Sequence, residues 1–445
     1  MNNAKILAER REFIGEGARG KSIACEKNSA SGAVSQRACV YCGARVVLNP
    51  VTDAFHIVHG PIGCASYTWD IRGSLTSGSE LFRNSFSTDL QEKDIVFGGA
   101  AKLAAAIEEV AETYRPKLIF VYATCIAGVI GDDVGAVCRA AEEKFGLRCI
   151  AVQSSGFSGT KSFGYRLACD ALMELILPHK RPAGTRGLGV NILGDYNLAG
   201  EMWIIENYMR RIGVPVVATI TGDAAYETLI KAPTARLNLV QCAGSMSYLA
   251  KRMEEELGIP FMKISFFGVE DTSASLLRVA QAAGGGEIVR RAERFTAEQE
   301  KKTNAVTAPY KKHLAGKKAA IFVGGGFKAI SLIRQFNAMG METVLVGTQT
   351  GQPEDYEIIS GLVGPDAVIL DDANPSELEA FMQEKGAQIL VGGVKERPLA
   401  FKLGVAFCDH NHERKHALAG YEGVINFTRE VHLSMNSPVW GYVSG

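Results

Sequence analysis

The sequence has no apolar run approaching the ~18 residues that a membrane-spanning helix requires, so no membrane span is expected. It has no net charge either, because 48 Lys and Arg balance 48 Asp and Glu. That balance argues against binding nucleic acid or anionic membranes through bulk electrostatics. An apolar leader is also missing: "MNNAKILAERREF" is too polar for a secretory signal, and the chain reads as cytoplasmic. Neither a G-x-G-x-x-G fingerprint nor a Walker A loop occurs, which leaves nucleotide binding without its usual signature. Low-complexity tracts and short-period repeats are absent as well.

What is present is ordinary globular material, with 47% hydrophobic and 22% charged residues over 445 positions. At ~100–200 residues per domain, that length allows about two to four domains. Short apolar runs alternate with helical patterns three times. "KLIFVYATC" precedes "GDDVGAVCRAAEEKFG" and "CIAVQS"; "GVNILGDY" precedes "EMWIIENYMRRIG", "PVVATI" and "ARLNLVQC"; "KKAAIFVGGG" precedes "KAISLIRQFNAMG" and "METVLVGT". Strand, helix and strand in that order predict α/β units with mostly parallel, doubly wound sheets. The expected organisation is an irregular arm over 1–36, then Rossmann-like domains over 37–186, 187–310 and 311–445. Glycines directly follow several strands: "GDD" at 131–133, "GDY" at 194–196, "GGGF" at 324–327 and "GGV" at 392–394. Open parallel sheets bind ligands at these strand ends, although most such glycines simply make tight turns.

The ten cysteines sort by setting. In a reducing compartment they read as thiols or metal ligands rather than disulfides. Cys39, Cys64 and Cys125 lie in "RACVYCGAR", "GPIGCAS" and "ATCIAG", among small residues that let backbone N–H groups approach a cluster's sulfides. Three thiols do not complete a four-thiolate cluster, so the fourth ligand is either Cys42 or a group from another chain. Buried free thiols are the plain alternative, and Cys39-x-x-Cys42 also suits a redox or zinc pair. Cys242 ends the apolar strand of "LNLVQCAGSM" and reads equally as ligand or core filling. Cys138, Cys149 and Cys169 read as structural, and Cys25 has no assignment. Near the C-terminus "CDHNHERKHALAGYEG" offers Cys408, His410, His412 and His416. Their irregular spacing, with Arg414 and Lys415 interleaved, favours core for Cys408 and a polar loop for the histidines over a zinc site.

In chain order, "HIVHGPIGCASYTWDIRG", "FSTDLQEKDIVFGG", "YATCIAGVIGDDVGAVC", "LNLVQCAGSM", "GIPFMKISFFGVEDT" and "AGYEGVINFTREVHLSMNSPVW" resemble the blocks of the nitrogenase component 1 superfamily across nearly the whole chain. The resemblance implies three Rossmann-like domains around a central cluster site. It implies that Cys39, Cys64 and Cys125 hold a [4Fe-4S] or P-type cluster shared with a β-type subunit. It implies that Cys242 anchors a large iron–sulfur cofactor or its precursor, of the L-cluster or FeMo-cofactor type, with homocitrate.

Departures from the family's catalytic α subunit narrow the role. Ala419 stands at a cofactor-binding histidine position, and His416 three residues earlier is a candidate substitute or transient ligand. Tyr165 and Arg166 replace a proton-delivering histidine stretch, and Lys161 stands at a glutamine position. "GGGFK", containing Gly324, Gly325 and Phe327, replaces an arginine-bearing loop. A cluster held by one thiolate has fewer bonds to break on leaving, which suits a scaffold better than a catalyst that must tune a fixed cluster. The favoured implication is therefore an α-type assembly scaffold in an α2β2 heterotetramer with a NifN-like subunit. It would be served by a NifH-like ATP-dependent reductase and by NifB as precursor donor. The alternative is the catalytic subunit of a nitrogenase-like reductase such as methylthio-alkane reductase, so whether the chain is an enzyme stays open at this point.

Overall fold

The computed structural model describes residues 13–17, 23, 38–69, 75–78, 84–182, 184, 187–411 and 415–443. Among these, fourteen strands form three sheets. The first contains β2 (Phe55–His59), β3 (Ser85–Ser87), β4 (Leu118–Ala123) and β5 (Arg148–Gln153), in the order β3-β2-β4-β5 and entirely parallel. The second contains β6 (Val190–Leu193), β7 (Val216–Ile220), β8 (Leu237–Val240) and β9 (Phe261–Lys263), in the order β7-β6-β8-β9, again parallel.

The third sheet is built from β10 (Lys318–Val323), β11 (Glu342–Thr348), β12 (Val368–Asp371), β13 (Ile389–Gly392) and β14 (Ala406–Asp409). Its order is β1-β12-β11-β10-β13-β14, where β1 (Ile14–Glu16) pairs antiparallel with Val368–Leu370. The segment read as an irregular arm therefore supplies an edge strand to the third sheet.

Parallel sheets covered on both faces require strands that are apolar throughout. "LIFVYA" in β4 is buried at all six positions, and every residue of β8, β12 and β13 is buried. Helices that carry site residues are α1 (Val40–Leu48), α2 (Ile62–Trp69), α3 (Cys125–Ile130), α4 (Lys161–Ile176), α5 (Ala243–Leu257), α6 (Gly326–Ala338) and α7 (Gly420–Met435).

The chain divides into two compact units. Ala38–Ile264 with Ala280–Val289 form one, which holds the first and second sheets. Met1–Arg37, Ser265–Val279 and Arg290–Gly445 form the other, which holds the third. The boundary expected near residue 186 thus separates two sheets of a single unit. The reason is a continuous core: Leu48, Tyr122, Leu172, Val240 and Met246 are buried in one cluster that joins both sheets through α1, α4 and α5. Among the described residues no helix is long and apolar enough to cross a membrane.

Each sheet has one point where the chain leaves a central strand in one direction and later resumes on its other side. Crevices for ligands open there, at the carboxyl ends of the two strands. In the first sheet the point lies between β2 and β4, in the second between β6 and β8, and in the third between β10 and β13.

Candidate functional site

The first switch point gathers Cys39, Cys64 and Cys125. Thr124, directly after β4, donates its N–H (3.1 Å) and its hydroxyl (2.9 Å) to the His59 carbonyl at the end of β2. That pairing puts Cys125, first residue of α3, beside the loop that carries Cys64 into α2. The Cys64 thiol is pushed up by burial first, and then by negative charge at Cys125 and Cys39. Cys39 arrives separately, as the N-cap of α1. Gly156 closes the ring: its N–H donates to Cys125 Sγ at 3.1 Å. A Cβ on Gly156 would lie 3.1 Å from that sulfur and 3.5 Å from Cys39 Cβ, so the position leaves no comfortable room for a side chain.

The donor chemistry suits an iron–sulfur cluster. Cys39 is exposed and its thiol is lowered to about 6, chiefly by a hydrogen bond from Cys42 and further by backbone N–H groups at the start of α1. Cys42 lies one helical turn on, fully buried, with the sulfurs 3.8 Å apart. Sharing its proton with Cys39, together with burial, holds Cys42 firmly as the thiol. Cys42 therefore faces the core and Cys39 faces outward. Among the described residues no three His, Cys, Asp or Glu side chains form a site for a single metal ion. Thiols at one switch point, with the Gly156 N–H already on the Cys125 sulfur, are the donor type that holds polynuclear iron–sulfur clusters.

A second layer fixes the loops. His59 Nε2 and Asp132 Oδ2 lie 2.9 Å apart, His59 Nδ1 lies 3.1 Å from Thr88 Oγ1, and Gly99 N–H donates to Asp132 Oδ1 at 3.0 Å. Burial lowers the His59 pKa, and the Asp132 carboxylate opposes that.

The second switch point holds Cys242, two residues past β8 and N-cap of α5. Gly194, past the end of β6, sits against it: a Cβ there would lie 2.8 Å from both Cys242 Cβ and its backbone nitrogen. Gly194 also has φ +88°, a left-handed conformation that other residues adopt only with strain. Tyr196 Oη lies 2.6 Å from Ser245 Oγ, in the first turn of α5. Its pKa is pushed well up by burial first and then by negative charge at Cys242, with Tyr165 and Cys169 adding. Tyr196 is thus a neutral phenol between Tyr165 and the candidate anchor. Lys161 opens α4 with its Nζ 6.0 Å from the Tyr165 ring centre, and its charge opposes the upward shift of Cys42. Arg166, one residue on, is exposed.

The remaining pocket candidates belong to the other unit. Gly324 and Gly325 lead into α6 at the third switch point, with no atom within 4 Å of a Cβ on Gly324. Phe327 packs against the core of that unit. Ala419, N-cap of α7, is fully buried. His416 is exposed and lines a surface cleft with Arg397, Phe407 and Trp440. Of the histidine-rich stretch, Cys408 is core and His410 is buried against the rings of Phe267 and Phe427. His412 and Arg414 lie outside the described residues, as does Cys25. Cys138, Cys149 and Cys169 are all buried.

Gly156, Tyr196, Ser245, His59 and Asp132 escaped the sequence reading. "GDD" and "GDY" had marked two of their loops as strand ends, but only the fold shows which side chains turn toward the cysteines.

Residues 39–436 match the family described as nitrogenase component 1 type oxidoreductase. The chain is 61% identical to the nitrogenase iron-molybdenum cofactor biosynthesis protein NifE of Clostridium pasteurianum, over 99% of this chain and 98% of that protein. It is 50% identical to the NifE protein of Methanosarcina barkeri, over 94% and 92%. The structure is similar to solved nitrogenase Cp1 at pH 5, with a TM-score of 0.90 and 30% identity, covering 99% of this chain and 97% of that one.

Proposed function

Because the chain belongs to the nitrogenase component 1 type oxidoreductase family, we propose that it is the α-type subunit of a scaffold on which the iron-molybdenum cofactor matures. The observation that carries this reading is near-full-length likeness to a cofactor biosynthesis protein at 61% identity. The site is in keeping with it. Cys39, Cys64 and Cys125 would hold a resident [4Fe-4S] cluster, with a remaining ligand from a NifN-like β-type partner in an α2β2 assembly. Bound there, that cluster supplies one-electron redox chemistry.

The large iron–sulfur precursor is cargo, delivered by NifB. Cys242 would tether it through one thiolate, placed at a switch point where Gly194 keeps the wall low and α5 aims its N-terminal N–H groups at an anionic guest. Tyr196 stays protonated and leaves charge balance to cations, of which Lys161 beside Tyr165 is the nearest candidate for homocitrate or the cluster. With Cys242 as the one proposed ligand, release would require breaking a single protein–metal bond. A NifH-like reductase and ATP would drive maturation, in the cytoplasm.

The test is to purify the complex with its own partner and reductase, then supply precursor, molybdate, homocitrate and ATP. Stoichiometric activation of a cofactor-free nitrogenase catalytic component is the expected outcome. Many turnovers of a volatile thioether to hydrocarbon and thiol, without such activation, would instead establish a methylthio-alkane-type reductase.

A further inference from the structure

Cys42 has no place in the ligand set, yet its sulfur lies 3.8 Å from that of Cys39. The two cysteines stand one turn apart at the start of a nine-residue helix. Residues three apart on a helix have Cα atoms about 5 Å apart, inside the ~4.4–6.8 Å span that a disulfide tolerates. One thiol is exposed and the other fully buried, which is the asymmetry of an attacking and a resolving cysteine. Cys125 is placed differently, because its sulfur accepts the Gly156 N–H.

We propose that Cys39 and Cys42 are a dithiol–disulfide modification site: in the cluster-free chain, exchange with a small disulfide of the glutathione class links them, and reduction frees Cys39 for ligation. The pair stands on its own geometry; only the consequence for loading rests on reading Cys39 as a cluster ligand. The Cys39 thiolate attacks one sulfur of the small disulfide and expels one thiolate, leaving a mixed disulfide. Cys42 then attacks the Cys39 sulfur and expels the second thiolate, and its proton passes to that leaving group. Two protein thiols are oxidised and one small disulfide is reduced to two thiols. The linked state keeps the ligand sulfur from irreversible oxidation to sulfinic or sulfonic acid while no cluster covers it.

The test uses the complex with its partner, prepared cluster-free and cluster-loaded, and equilibrated across glutathione buffers from fully reduced to fully oxidised. Alkylation and peptide mass spectrometry read each thiol. Cys39 and Cys42 are expected to lose reactivity together, as one two-electron couple, with a Cys39–Cys42 linked peptide in the cluster-free sample and none in the loaded one. In Cys42→Ser the linked peptide should vanish and Cys39 should carry one glutathione instead. A Cys42 thiol that stays reactive at every ratio in the wild-type complex, or a Cys39–glutathione adduct there with no linked peptide, would overturn the proposal. Iron content separates the two readings. Cys39→Ala retaining full iron would sink the ligand assignment and leave the disulfide standing. Loss of iron in Cys39→Ala without a wild-type linked peptide would sink the disulfide alone.

Discussion

The first and second switch points are built alike and finished differently. Both lie where a parallel sheet reverses its winding, and both place a cysteine just after a fully buried strand. At the first, Cys125 and Cys39 lie against Gly156 with Cys64 at the same switch point, and the outermost, Cys39, is exposed. At the second, one half-buried thiol is packed by its own unit, against Gly194 and near the Tyr196–Ser245 pair. The contrast teaches that ligand count and enclosure trade places. On the reading proposed above, the outward-facing set would be completed by a partner and would hold a resident cluster. On the same reading, the single half-buried thiol would position a guest and still let it go.

The contrast breaks most sharply at Gly194. In Gly194→Ala the new Cβ meets Cys242 and the φ of +88° becomes strained, so a loss of about 3 kcal/mol is expected. Denaturant unfolding would measure it, and large-cluster iron should fall while the shared cluster stays.

Acid should separate the two sheets. His56 is fully buried in the first, and burial, then the Arg45 charge, hold its pKa well below the ordinary value. Its Nδ1 lies 2.9 Å from Tyr122 Oη. A histidine depressed in the folded state contributes stability that is complete above the unfolded pKa of about 6.5 and is lost as pH falls below it, at up to ~1.4 kcal/mol per pH unit. The second sheet, from β6 to β9, contains no histidine. Amide exchange at pH 5.5 against 7.5 should therefore show β2 and β4 loosening before β6 and β8, and equal loosening would contradict the assignment.

Tyr196→Phe removes the 2.6 Å contact with Ser245 and should cost about 1 kcal/mol by thermal unfolding, with the shared cluster untouched. Gly156→Ala should cost a similar amount, about 1 kcal/mol, because the Cβ crowds Cys125 Sγ at 3.1 Å and touches Cys39 Cβ at 3.5 Å. Its signature is spectroscopic: a shifted shared-cluster EPR signal with the large cluster unchanged.

Much of this was legible in sequence because the strands are short, wholly apolar and ended by glycine, as "KLIFVYATC" and "LNLVQC" show. The short strand β1 was not, since three residues in a polar arm carry no periodicity and form a strand only by pairing with Val368–Leu370. The merging of two expected domains into one unit was also hidden. It depends on α4 of the first sheet's layer packing against α5 of the second, with Leu172 and Met246 in one core, and composition records nothing of that. Within the site, small neighbours marked Cys39, Cys64 and Cys125 as a group. Cys42 remained ambiguous because its burial depends on which way α1 turns, and Tyr196 was invisible because its role comes from the loop between β6 and α5.

The most direct test of two separate cluster sites is Mössbauer spectroscopy of the Cys242→Ala complex with its partner. The result expected is loss of the large-cluster iron with the shared-cluster signal intact, the reverse of what Cys64→Ala should give. Equal loss of both signals in Cys242→Ala would mean that Cys242 is a structural thiol, and that the second switch point holds no cargo.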